Sequence, residues 1–205
     1  MKTGYLAAAL AAAAITLSAC GDSTGSDAAS GSLAFSYTGA RSGSYSATGS
    51  FRRTSDSTFA RQPFAVGAKG TENGVSFVSL LAYQPVSATT GDLALFLLPN
   101  VTGPTTLDLS PGCAAAECPL AAIIFDTDPQ ASEDESDVYT FESGTLAVTS
   151  VSGGRMRGTF SGTATQFFGG ESVTVTGGTF DVPLVSQGFL GASRAVATPL
   201  RVTPR

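Results

Sequence analysis

The chain is 205 residues long, carries 16 acidic against 11 basic residues, has a formal charge of −5, and contains no histidine or tryptophan. So few lysines and arginines on an acidic chain exclude a nucleic-acid binder, because phosphate neutralisation supplies most of that affinity. The lack of histidine excludes Ser-His and Cys-His nucleophiles outright.

The first residues carry one positive charge, Lys2, and then an apolar run from Tyr5 to Leu17 made almost wholly of Ala and Leu. That run is too short for a mature membrane span, which needs about 20 residues. It has the length and flanks of the apolar segment of a secretory signal helix. Ser18 and Ala19 then lead directly into Cys20. The tetrapeptide Leu17-Ser18-Ala19-Cys20 resembles the lipobox of bacterial lipoproteins. The resemblance implies cleavage before Cys20, a diacylglycerol on its thiol, and two or three acyl chains holding the protein to a membrane. Each buried CH₂ contributes about 0.8 kcal/mol, so several chains anchor where one holds only marginally. Gly21 rather than Asp follows the cysteine, which by the sorting pattern of such lipoproteins implies the outer membrane. Residues 1–19 are thus expected to be removed as a signal peptide. What remains is 186 residues with 10 basic and 16 acidic side chains, since Lys2 is the only charge lost. That length suffices for one domain with a true core.

Residues 20–32 are rich in Gly, Ser and Asp and read as the lipidated cysteine followed by a flexible linker. The twelve residues after Cys20 span on the order of 20 Å. A β-rich globular domain is expected over 33–185. Charged residues make up 13% of the chain and glycines number 24, a composition suited to short strands and tight turns. Leu33, Phe35 and Tyr37 alternate with small or polar residues, and Tyr45, Ala47, Gly49 and Phe51 do so after a turn at Gly39 to Gly43. Alternation of this kind marks half-buried antiparallel strands. Lys69, in Val-Gly-Ala-Lys-Gly-Thr, departs from the phosphate-loop pattern and reads as a solvated lysine on a glycine turn. Val75–Tyr83, Leu93–Leu98 and Leu120–Phe125 are apolar at both parities and read as central strands buried on both faces, with a helical turn open as an alternative in the last.

Cys113 and Cys118 remain as a pair once Cys20 is spent on lipid, and an exported chain in an oxidising compartment predicts a local disulfide between them. Such a loop contributes roughly 2 kcal/mol on the chain-entropy model. Metal coordination lacks ligands, with no histidine present. The acidic residues Asp126, Asp128, Glu133, Asp134, Glu135 and Asp137 could supply paired carboxylates for glycoside hydrolysis or oxygens for Ca²⁺. The spacing lacks the calcium-loop pattern and Pro129 interrupts it. The mature chain also has only four tyrosines and no tryptophan for sugar stacking. A solvated acidic loop is the simpler reading, with no metal and no cofactor.

Over 144–184 the pattern spells a three-stranded meander. Leu146 and Val148 face inward, and Ser152-Gly153-Gly154 turns the chain. Met156, Gly158, Phe160, Gly162 and Ala164 then share one face, and a second turn at Gly169-Gly170 leads to Val173 and Val175. Phe180 and Val182 fall out of phase unless Gly177-Gly178 supplies a bulge. Gly-Ser/Thr-Phe occurs at 49–51, 158–160 and 178–180, where the small residue leaves room for a neighbouring ring. The wording of the meander is similar to the C-terminal part of uncharacterised β-rich bacterial lipoproteins, which implies a fold more than an activity. Residues 186–205 hold Arg194, Arg201 and Arg205 and no acid, and read as an edge strand or frayed tail able to dock on the acidic loop.

The expected architecture is an antiparallel β-sandwich, with a lipocalin-like up-and-down β-barrel as the alternative. The expected role is that of a membrane-anchored envelope lipoprotein acting without catalysis, by binding or assembly with an envelope protein partner. A carrier of an apolar ligand is second and a carboxylate-based hydrolase third.

Overall fold

A computed structural model describes residues 29–51, 62–72, 74–110, 119–127 and 137–186. The leader with Cys20, the pair Cys113 and Cys118, the acids Asp128, Glu133, Asp134 and Glu135, and the tail beyond Ser186 lie outside the described residues.

The described residues form ten strands and no helix. The first hairpin is β1 (Gly31–Gly39) and β2 (Gly43–Gly49), two residues earlier at its start than the alternation predicts. β3 (Phe64–Glu72) and β4 (Val75–Pro85) make a second hairpin, followed by β5 (Gly91–Pro99), the short β6 (Thr105–Asp108) and β7 (Leu120–Thr127). The meander follows as β8 (Asp137–Ser152), β9 (Arg155–Gln166) and β10 (Ser172–Ser186). β3 corrects the reading of Lys69 as part of a glycine turn. Gly67 and Gly70 lie within a paired strand, and Gly67 is small because the Leu80 and Leu184 side chains crowd it. Leu120–Phe125 is strand throughout.

Seven strands close on themselves. β10 pairs β3, and the ladder runs through β4, β5, β7, β8 and β9 back to β10. The sandwich expected first is therefore corrected: the ladder is one closed barrel with added strands, nearer the barrel alternative. It also departs from a simple up-and-down barrel, because β10 and β3 are parallel.

Closure depends on β10 having two partners on one edge. β9 pairs it from Ser172 to Pro183, so β1 and β3 share the opposite side. β1 holds Val173 to Asp181, and β3 takes Leu184 to Ser186. Pro183, which has no N–H to donate, sits at the handover. β8 is divided likewise, with β7 opposite Asp137–Thr140, β6 opposite Thr145–Val148, and β9 along the other edge.

The register fixes the barrel's proportions. From Ser172, successive partners are Thr165, Thr140, Ala122, Leu95, Leu81 and Val66. Val66 lies one step before Gly67, the partner of Leu184, so the circuit returns beside Pro183, eleven residues along, one of them a bulge residue. A stagger of about ten over seven strands, at 3.3 Å per residue and 4.8 Å between strands, means a tilt of roughly 45°. A barrel this narrow is filled by side chains. Phe160 of β9 lies 4.8 Å from Phe96 of β5 and 5.7 Å from Phe35 of β1, and Phe141 of β8 lies 6.0 Å from Phe96.

In the meander, Leu146, Val148, Met156, Phe160, Ala164, Val173, Val175, Phe180 and Val182 are all buried. The bulge falls where the phase slip requires it: Val175 pairs Gly162 and Gly178 pairs Phe160, with Gly177 at φ +63°. The Gly-Thr-Phe echo has a reciprocal meaning here. Gly158 is paired with Phe180 and Gly178 with Phe160, so each motif's glycine makes room for the other's ring. The copy at 49–51 does something else. Phe51 packs edge-on to Phe64, in a separate cluster with Val66, Ala68 and Tyr83 on the outside of β3 and β4.

A methyl at Gly158 would lie 2.2 Å from the Ala147 carbonyl oxygen and 2.4 Å from Phe180. Gly158→Ala is expected to cost about 3 kcal/mol. Gly177→Ala meets open space but strains a positive φ, costing about 1 kcal/mol. Urea unfolding midpoints of the two variants check this order.

Candidate functional site

Polar chemistry gathers at one end of the barrel, where β1, β7 and β9 finish and β5, β8 and β10 begin. Arg41 lies in the turn between β1 and β2, which the Ala40 amide ties to the Ser172 carbonyl at 3.0 Å. Its Nη1 donates to Asp126 Oδ2 at 2.8 Å and its Nη2 to Asp137 Oδ2. The guanidinium also stands 5.1 Å from the centre of the Phe125 ring, a geometry in which the ring's negative face attracts the cation.

Local backbone geometry sets each carboxylate. Between β5 and β7 the register slips, with Gly91 opposite Thr127 but Leu93 opposite Ile124. The extra residue lies on β7, and Asp126 there has φ +57°, a left-handed conformation that Asp tolerates better than most residues. This turns the Asp126 carboxylate out to Arg41 and its amide toward Asp92, whose Oδ1 accepts that N–H at 3.0 Å. Asp137 also accepts from Gln166 Nε2 at 3.0 Å.

Asp92 is 8% exposed and has the inward parity of Ala94, Phe96 and Leu98. Burial pushes its carboxyl above the ordinary value and the Asp126 charge adds to this, against the Asp126 amide and Arg41. Burial would lower the Arg41 pKa, but its two carboxylates outweigh that and raise it. Three tyrosines converge here: burial raises Tyr37, Tyr45 and Tyr139, Asp92 adding at the first two and Asp137 at the third. Tyr45 and Tyr139 are core residues, and Tyr83 is buried in the outer cluster.

The arrangement binds the β1–β2 turn to β7 and β8 through one fork of donors. Asp126 and Asp137, predicted from sequence as part of an acidic loop, are engaged by Arg41 in this way. No three His, Cys, Asp or Glu converge as a metal site among the described residues. Sequence reasoning missed Arg41 and Asp92. A carboxylate at an inward position of an apolar strand was the available signal for Asp92.

A second charged cluster secures the start of the domain. Arg155 Nη1 and Nη2 both donate to the Ser30 carbonyl at 3.1 Å, and its Nε donates to Asp181 Oδ1 at 2.6 Å. Arg157 Nε donates to the other oxygen of Asp181 at 2.9 Å. Burial would raise the Asp181 carboxyl, but the two arginines outweigh it and hold it below its ordinary value. At the end of the barrel away from Arg41, Lys69, Thr71, Ser76, Phe77 and Asn100 line an open groove of about 330 Å³.

Comparison with known protein families, with curated proteins and with solved structures returned no match.

Because folding raises the Asp92 pKa, protonated Asp92 favours the fold, and that contribution is lost as pH rises through the folded value. Asp92→Asn is therefore expected to raise the melting temperature at pH 7. The gain should vanish below about pH 4, where the wild-type carboxyl is protonated in both states. Arg41→Gln should destabilise by about 1 kcal/mol, kept small by solvent screening of a partly exposed pair. Arg41→Lys should recover less than the full loss, since one ammonium lacks the fork that reaches both carboxylates. Urea titration of the three proteins measures both effects.

Proposed function

We propose that this protein is a lipid-anchored envelope lipoprotein whose barrel acts by binding or assembly rather than by chemistry. The observation that carries the reading is the Leu17-Ser18-Ala19-Cys20 leader standing directly before a short linker and a folded domain. Three carboxylates support the non-catalytic part: Asp126 and Asp137 are committed to Arg41, and Asp181 to Arg155 and Arg157. The proposed disulfide Cys113–Cys118 fits the same exported setting, and the outer membrane is the proposed location.

A second reading, a lipocalin-like carrier of an apolar ligand, draws support from the closed ladder. The rings of Phe35, Phe96, Phe141 and Phe160 weigh against it, because they occupy the space a ligand would need.

Mass spectrometry of the protein from its native membranes is expected to find a diacylglycerol on Cys20 and no peptide from residues 1–19. Crosslinking before extraction should bring an envelope protein along with it. Recovery of unmodified Cys20 in protein washed free of membranes would refute the anchor.

A further inference from the structure

β10 does not use the whole of β3. Its parallel rungs are Leu184 to Gly67, Val185 to Ala68 and Ser186 to Lys69, and β3 then continues through Gly70, Thr71 and Glu72. β4 covers that continuation on one edge, as far as the pair of Glu72 with Val75. On the other edge no described strand pairs it. Which groups stand open there follows from β10. The Leu184 amide donates to the Gly154 carbonyl, on the β9 side. Backbone groups alternate in direction along a strand, so Val185 faces β3, between Gly67 and Lys69. Thr71, two residues beyond Lys69, therefore turns its N–H and C=O to the open edge, while Gly70 and Glu72 turn theirs to β4.

We propose that this edge of β3 is the docking site of the chain's own C-terminal segment, with Gln187, Gly188 and Phe189 extending β10 parallel to Gly70, Thr71 and Glu72. The rung of Ser186 with Lys69 sets the register. Gln187 falls opposite Gly70, where its N–H meets the Lys69 carbonyl and its C=O the Thr71 amide, and the Phe189 N–H meets the Thr71 carbonyl. The first argument is continuity. An open edge pairs with extended chain, and the next residues of β10 arrive there with no loop to close. No proline stands before Pro199 to remove a donor. The second argument is side-chain placement. Leu184 packs into the barrel and Val185 onto the outer cluster over Ala68, so alternation turns Gln187 and Phe189 outward. On that face Gly70 pairs with Phe77, which is partly exposed, and Glu72 with Val75, which is 44% exposed. Gly70 has no side chain, so a ring at 189 leans across it toward Phe77 and covers the apolar margin of the hairpin. An edge occupied in this way is closed to strands from other molecules.

Amide hydrogen exchange by NMR on residues 20–205, with Cys20→Ser to keep the chain free of lipid, tests the proposal residue by residue. The Thr71, Gln187 and Phe189 amides are expected to exchange at least about a hundredfold more slowly than unstructured chain, and Gly188, whose N–H points away from β3, to exchange freely. Gln187→Pro removes the donor to Lys69 and should speed Thr71 exchange about tenfold, whereas Gly188→Pro removes no rung and should leave it within about twofold. An unchanged rate at Phe96, deep in the barrel, shows that each variant folds. Should a proline variant fail that check, the alternation across Gln187, Gly188 and Phe189 in the parent chain decides. Thr71 exchanging at the unstructured rate overturns the proposal, and equal effects of the two prolines overturn the register. So does Thr71 protection that survives Gln187→Pro, whether another part of this chain covers the edge (a monomer by sedimentation) or a second copy does (a dimer).

Discussion

The division of one edge of β10 between β1 and β3 is the constraint on which the rest of the barrel depends. A strand has two hydrogen-bonding edges, and β9 occupies one of them along almost the whole of β10. Closure can then be reached only if β1 releases the other edge in time for β3 to take it. Pro183 marks that point with a residue that cannot donate, and the bulge at Gly177 corrects the phase of the side chains before it. The stagger, the steep tilt and the narrow, ring-filled interior all follow from where this exchange falls. The β1–β2 hairpin covers the part of the wall that β3 starts too late to reach.

At the other end of β1, the hairpin needs a second attachment, and Arg41 provides it. The ion pairs are partly exposed, so their direct contribution to stability is modest. Their value is geometric. One planar fork bridges carboxylates from two strands that are not adjacent to the hairpin in sequence, and the β7 bulge aims one of them. The same bulge gives Asp92 its hydrogen bond, so a single extra residue on β7 serves both the surface ion pair and the buried carboxyl beneath it.

Most of what was legible in the sequence was local. The period-two alternation of β1, β2, β9, β10 and the second half of β8 could be read directly, because each has one buried and one polar face. The first half of β8 could not, since Val138, Tyr139, Thr140 and Phe141 are all buried and no alternation shows. The bulge at Gly177-Gly178 could be read too, because a slip in phase between Val175 and Phe180 permits few other solutions. β3 could not. Its glycines and Lys69 imitate a turn, and only the neighbours Leu80 and Leu184 explain why small residues are wanted there. The runs in β4, β5 and β7 did show that both faces are apolar, but not whether two sheets or one ring would bury them. That depends on the β10–β3 pairing, three residues long and 117 apart in the chain, which leaves no periodic trace. The Arg41 cluster was hidden for the same reason: Asp126 and Asp137 stood out as acids, while their shared cation lay 85 residues or more away.

The clasp of Arg155 on Ser30 has a mechanical consequence. β1 leaves Ser30 with β2 on one side and β10 on the other, both antiparallel to it. Tension drawn from the N-terminal side along the strand therefore loads every rung of two ladders at once, in shear, instead of peeling them one at a time. Resistance to such a pull depends on its direction, as thermal stability does not, so the same fold would yield more readily to traction across β1 than to traction along it.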